Sequence, residues 1–358
     1  MFATSRRDQF LVRNRRQKKE TGTVKPLLKN GLNSLKLNNT SAGAGPRTFY
    51  FLDSLAMLEQ ALIDYALDKL IEQGFCMVSV PEVLPLSVIE ACGFPVDSER
   101  DQIYKIVQEE RHGPEMALAG TSEMTLAAFC AGRNLGFEEE GTQEGTSTDV
   151  LGLCAASKCF RREVSTVEST LYRTHQFNKV EMFCVTQPSL MVSDAMFERM
   201  LRLQIDLLSG LNLHFRVMEM PSSELGLSAF RKVDIEVWMP AEKFFGEVSF
   251  HVTNVSSTSN CTDYQSRRLQ ITWSDQNNAS NDSPFAHTVG QPIILVYIIQ
   301  LNGTACAVPR LMKAIIETHQ QADNSVLVPE ALQPYMDGMK HIRPNRDYEM
   351  EWITKLKK

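Results

Sequence analysis

Apolar residues between Leu52 and Gln73 recur at steps of three and four (Leu55, Leu58, Leu62, Ala66, Leu70), the spacing that lines one face of a helix, and Gly74 follows as a stop. Phe75 to Val80 then alternates toward Pro81, as an edge or interface strand does. Period-two or continuous apolar runs predict further strands at Lys158–Glu163, Gln176–Val185, Leu213–Met218, Val233–Met239 and Leu269–Trp273. Helical spacing returns at Ser122–Gly132, Leu190–Leu208 and Val308–Gln320. Strands joined through hairpin-like loops, with helices grouped between them, predict an α+β fold around an antiparallel sheet rather than a doubly wound parallel one.

Length and composition bound this picture. The chain has 358 residues, 43% hydrophobic and 22% charged, enough for one large domain or two ordinary ones with a sizeable core. A net charge of -6 excludes a protein that holds nucleic acid by bulk attraction, so any such contact must come from local basic patches. The first forty residues hold ten Lys/Arg against Asp8 and Glu20, the composition of an organelle-targeting or disordered arm, and Ser41–Pro46 reads as a linker. The eight cysteines form no CxxC pair or zinc-type cluster and read as reduced thiols of an intracellular enzyme. No secretory leader is visible, and the longest apolar run, Pro292 to Leu301, is too short to span a bilayer, so no membrane partner is expected. Neither GxGxxG nor GxxxxGK[ST] occurs, and there is no internal repeat.

The densest polar constellation runs Lys158-Cys-Phe-Arg-Arg-Glu163, a hydrophilic loop, then Tyr172-Arg-Thr-His-Gln-Phe-Asn-Lys-Val-Glu-Met-Phe183. As one strand, the first piece places Arg161 and Glu163 on the same face, with Glu181 nearby on the return strand. Arg161 can clamp a phosphate with its planar fork, Phe177 offers a ring to a nucleobase, and Glu163 can accept from an exocyclic amine. A structural salt bridge between Arg161 and Glu163 or Glu181 is the equal alternative. His175 is expected to hold structure by hydrogen bonding rather than to act as a general base.

This stretch resembles motif 2 of the class II aminoacyl-tRNA synthetases, in wording very like the seryl enzymes. Ala119-Gly-Thr-Ser-Glu123 resembles their serine-recognition turn, and Pro221-Ser-Ser-Glu-Leu-Gly226 with Arg231–Pro240 their central strands. Phe245-Gly-Glu-Val248 and Ser257–Arg268 resemble the ATP and metal segment. Asn302-Gly-Thr-Ala-Cys-Ala-Val-Pro-Arg310 resembles motif 3, in wording that points to animal mitochondrial members. The resemblance covers Phe49 to about Met336.

It implies a catalytic domain that joins L-serine to ATP and passes the seryl group to tRNA(Ser), as a homodimer in the mitochondrial matrix. Arg161 would hold the serine carboxylate region and the α-phosphate, Glu163 the adenine amine, Thr174 the nucleotide and Phe177 the adenine ring. Thr121, Ser122, Glu123, Arg161, Glu181 and Thr304 would form the serine site. Glu247, Val248, Ser256 and Ser257 would complete the ATP site, with Glu247, Ser257 and Ser259 holding Mg²⁺ and Arg310 taking the γ-phosphate. Arg161, Arg310 and Glu247 are the residues to which catalysis would fall.

Departures accompany the resemblance. Nothing before Phe49 has the apolar heptads of the family's tRNA-gripping coiled-coil arm. The loop Val164–Leu171 is shorter than usual. Residues 249–255 and 290–301 read as insertions into active-site strands. Residues 1–48 therefore read as a basic, disordered or targeting segment, 49–345 as the catalytic domain and 346–358 as a tail. A non-catalytic paralogue kept as a binding or dimerising module is the main alternative; an amino-acid ligase using another carrier is a third.

Overall fold

The computed structural model describes residues 10–13, 35–36, 47–96, 102–107, 113–135, 150–163, 171–241, 244–245, 247–248, 251–252, 254–273 and 296–344. The short motif 2 loop, the tail at 346–358 and most of the basic segment lie outside them.

One nine-stranded sheet organises the chain. Its strands are β1 (Phe10–Arg13), β2 (Cys76–Met77), β3 (Val150–Phe160), β4 (Gln176–Thr186), β5 (Phe215–Glu219), β6 (Arg231–Met239), β7 (Phe244–Phe245), β10 (Ser256–Thr262) and β11 (Ile299–Ala307). Between β7 and β10, β8 (Glu247–Val248) and β9 (His251–Val252) form a separate hairpin. The sheet order is β1-β5-β6-β10-β11-β4-β3-β2, with β7 on β6. Every pair in it is antiparallel except β2 with β3.

The alternation of side chains divides this sheet into two chemistries. Val180, Met182 and Cys184 of β4, and Val233, Ile235 and Val237 of β6, point into the larger core. That core is covered by helices α1 (Ser54–Glu72), α4 (Leu190–Gly210) and α6 (Val308–His319). A second core lies between α2 (Leu86–Ala91), α3 (Ser122–Cys130) and α5 (Tyr264–Leu269), against Leu153, Ala155, Phe183 and Val185. The rest of that second face is polar, and the candidate site occupies it.

The long helices form for the reasons their spacing gives. Leu55, Leu58, Leu62, Ala66 and Leu70 of α1 are all buried. Beyond its end Gly74 takes φ 82°, a left-handed conformation that costs glycine little, and its N–H bonds Ile71 O at 2.9 Å.

Several expected boundaries move. The strand placed at Lys158–Glu163 is the end of β3, which begins at Val150, so Arg161–Glu163 lie past it and the two charged residues do not share a strand face. The small residues Gly152, Ala155, Ala156 and Ser157 concealed the first part of this strand, which is specified by pairing with β4 along its whole length. Phe75–Val80 contributes just Cys76–Met77, paired parallel to β3, which makes the antiparallel sheet mixed at one edge. Leu269 closes α5 rather than opening a strand; Thr272–Trp273 pairs with Val296–Tyr297.

Of the two stretches read as insertions, 251–252 lie in β9, while Asn254 and Val255 lead directly into β10. Ile299–Leu301 are the first residues of β11, and Ile298 and Leu301 are fully buried. Phe10–Arg13 of the basic segment adds an edge strand to β5.

Candidate active site

A cleft of about 250 Å³ opens on the polar face where β4, β11, β10 and β6 run side by side. Register decides what it contains. Ser257 stands across from Thr304, and Thr304 across from Glu181, making one row over three strands; Ser259 and Asn302 make the next. Phe177 and Lys179 precede Glu181 at two-residue steps along β4 and point the same way. From the adjoining core, α3 presents its N-terminus, and its cap Thr121 accepts the N–H of Glu123 at 3.3 Å.

Gln204 of α4 holds this row together from the opposite face. Its amide nitrogen donates to Ser257 O at 2.7 Å and Thr304 O at 2.9 Å, and its oxygen accepts from Thr258 Oγ1 at 2.7 Å. Gly303 makes the approach possible. A Cβ there would stand 3.1 Å from the Gln204 amide and 3.1 Å from Ser257 O, closer than side chains normally pack.

The cleft has an acidic end and a basic end. At the acidic end, Glu123 Oε1 accepts from Gln265 Nε2 and Asn302 Nδ2, both at 2.6 Å. Burial, reinforced by the charge of Glu181, pushes its carboxyl up to about 7, against the opposing pull of Gln265, Lys179 and Arg161. Glu181 pairs with Lys179 at 2.5 Å and accepts from Thr304 Oγ1 at 3.2 Å; Lys179 donates to Thr121 Oγ1 at 2.6 Å. Two carboxyl groups, one buried lysine and two hydroxyls thus converge; Lys179 balances Glu181, and Glu123 is left to ionise only when a second cation enters.

At the basic end, Arg161 lies over the Phe177 ring at 5.3 Å and donates to Gly120 O at 3.4 Å. Arg310, in the first turn of α6, donates to Tyr172 O and to the main-chain oxygen of Asn254 at 2.7 Å. Burial first, then the charges of Arg161 and Arg173, bring its guanidinium down to about 10, so it stays cationic at neutral pH. Two arginines held this close, each raising the other's cost of charge, suit a polyanion even with Glu163 and Asp234 near Arg310.

The structure therefore brings together Thr121, Glu123, Arg161, Phe177, Glu181, Ser256, Ser257, Ser259, Thr304 and Arg310 along one cleft. Thr174 and Ser122 are buried nearby but are not among its described lining residues. Glu163 accepts from Arg173 at 3.3 Å, so neither salt bridge considered for Arg161 forms among the described residues; Arg173 and Lys179 take those carboxylates instead. His175 bonds Tyr104 Oη at 2.7 Å and lies 3.3 Å from Arg161 O, a structural position. Glu247 and Val248 lie in the β8–β9 hairpin, where the backbone path alone is described.

Sequence reasoning overlooked Lys179, Asn302, Asn254, Gln265 and Gln204. Lys179 was recoverable, since it shares the period-two face of Phe177 and Glu181. Gln204 was not, because a glutamine within an amphipathic helix gives no sign of which strands it will cross.

For Mg²⁺ the described donors are the neutral hydroxyls of Ser257 and Ser259, and no group of three His, Cys, Asp or Glu able to hold a metal occurs among the described residues. Those described side chains alone do not hold a cation by protein charge.

Residues 150–319 match the tRNA synthetase class II core domain (G, H, P, S and T). The mitochondrial serine--tRNA ligase of Bos taurus is 40% identical over 307 residues, 85% of this chain and 53% of that protein. Among solved structures, seryl-tRNA synthetase from Pyrococcus horikoshii complexed with ATP aligns with a TM-score of 0.73 at 31% identity, over 87% of this chain and 62% of that one. Cytoplasmic serine-tRNA ligase from Naegleria fowleri in complex with AMP aligns at 0.72 and 28%, over 87% and 65%. The chain spans about half the length of the mammalian relative it matches. Residues 150–319 thus match the core domain of the class II tRNA synthetases, and over 85% of its length the chain is similar to the serine--tRNA ligases.

Proposed function

We propose that this chain is a serine--tRNA ligase that activates L-serine with ATP and transfers it to the 3′ end of tRNA(Ser) in the mitochondrial matrix. The observation that carries the reading is the two-ended cleft. Glu123 and Glu181 at one end offer the charge a serine ammonium lacks, Thr121 and Thr304 offer hydroxyls to its side chain, and Arg161 with Arg310 faces the phosphates from the other.

In this reading a serine carboxylate oxygen attacks the α-phosphorus, the bond to the β-phosphate oxygen breaks, and pyrophosphate leaves with its electron pair. The terminal ribose hydroxyl of tRNA then attacks the seryl carbonyl and AMP departs. No protein nucleophile enters. Arg161 orients the carboxylate against the α-phosphate and offsets its gathering charge, while Phe177 takes the adenine face. A buried site that bonds the serine hydroxyl rejects alanine by roughly 10⁴-fold, since the missing group leaves polar partners unpaired. Of the residues to which the resemblance assigns Mg²⁺, Glu247, Ser257 and Ser259, the two with described side chains offer hydroxyls alone.

Assembly as a homodimer through α1 and the β2 edge belongs to the same proposal. The mitochondrial part of the reading is supported by the name of the Bos taurus relative and by the basic segment at residues 1–48, and the matrix belongs to the proposal.

The test is serine-dependent exchange of pyrophosphate into ATP by the full chain. Exchange with serine and not alanine is expected. A folded chain that exchanges with neither, or with another amino acid, would overturn the assignment.

A further inference from the structure

The stretch leading into β10 carries one short pattern twice. Glu247-Val248-Ser249 and Asn254-Val255-Ser256 each place a polar residue before Val-Ser, seven residues apart. There is room for one such pattern at the head of a strand beside β6. Glu247 and Val248 are taken up by the β8–β9 hairpin, which pairs with no strand of the main sheet among the described residues. Asn254 and Val255 run on into β10. Val255 is fully buried; its N–H donates to Ile235 O at 3.0 Å and its carbonyl accepts from Ala307 N at 3.3 Å.

With Val255 turned into the core, Asn254 lines the cleft. Both its oxygens face Arg310: Nη1 donates to the main-chain oxygen at 2.7 Å and to Oδ1 at 3.3 Å. An amide here makes different chemistry from a carboxylate. It steers Arg310 without cancelling its charge, and it gives a divalent cation no anionic ligand. The nearest acids of β6 have cations of their own, Asp234 with Lys232 at 2.9 Å and Glu236 with Arg216 at 2.5 Å.

We propose that Asn254, and not Glu247, occupies the head of the cleft strand, where it positions Arg310, and that the triphosphate charge is met by arginine rather than by a protein-held divalent cation. This rests on reading the cleft as an ATP site.

Calorimetric titration of ATP into the full chain, without serine or tRNA, in magnesium and then in EDTA, tests it. The wild-type Kd is expected to differ by less than about threefold between the two buffers. Asn254→Asp should introduce a magnesium dependence of roughly tenfold or more, and Asn254→Ala, which keeps the main-chain contact to Arg310 and removes only Oδ1, should weaken ATP by about threefold in both buffers alike. Wild-type binding that tightens about tenfold or more with magnesium would overturn the inference. Loss of that dependence in Glu247→Gln would identify the ligand. ATP binding in neither buffer, by a chain with native circular dichroism, would sink the reading of the cleft as a nucleotide site.

Discussion

Glu123 is a carboxylic acid that the folded chain holds protonated into the neutral range. Its carboxyl is raised from 4.5 to about 7, so between those values the folded state binds a proton that the unfolded state has released. The associated stabilisation, at most about 3 kcal/mol, is complete below pH 4.5 and lost as pH rises through 7. Denaturant midpoints at pH 5.5 and 8 should fall accordingly, and Glu123→Gln should flatten that difference. A serine ammonium entering beside Glu123 favours the carboxylate, so at pH 6 binding should expel a proton, seen as a buffer-dependent binding enthalpy. Arg161→Ala should lower serine-dependent exchange by roughly 10²–10³-fold, the scale of removing one preorganised charge-stabilising donor. The residues legible beforehand were those whose neighbours in sequence formed a recognisable block, such as Glu123 and Arg310. Asn254 escaped because Glu247, seven positions earlier, fitted the block better as letters and worse as a strand.

At the scale of elements, the crossing of α4 over β10 and β11 sets the spacing of the cleft. Gly303→Ala places a methyl against the Ser257 carbonyl, a backbone atom that cannot swing aside, and against the Gln204 amide. Overpacking of this kind costs about 1–3 kcal/mol, so the urea midpoint should drop, and exchange activity should fall with it as Thr304 shifts against Glu181. The helices were legible because α1 and α4 bury one stripe each, which leaves a clean spacing in the sequence. Central strands were harder. β11 is buried at every position, yet Asn302, Gly303 and Thr304 interrupt its apolar run, because this strand serves a polar cleft on one face and a core on the other. Of the two-residue strands, Cys76–Met77 and Thr272–Trp273 fell inside longer expected strands, and their true extent depends on partners far away in sequence.

Across the whole molecule, the helix-covered face and the polar face divide the labour between stability and chemistry, and the sheet edge at β2 is left over. Met77 there is 55% exposed, and Ile71 on α1 is exposed as well. If α1 and β2 meet their copies in a homodimer, light scattering should give twice the chain mass, and Met77→Lys should return it to one. The cysteines supply a gauge of both folding and assembly. Seven of the eight are buried, and burial raises the thiols of Cys130 and Cys154 to about 11, while Cys76 on β2 is exposed. A chromogenic disulfide reagent at neutral pH should therefore count close to one thiol per intact chain and eight after denaturation. Because that single reactive sulfur belongs to the very edge that would be covered on pairing, its labelling rate should climb on dilution, so the chain carries its own built-in reporter of association.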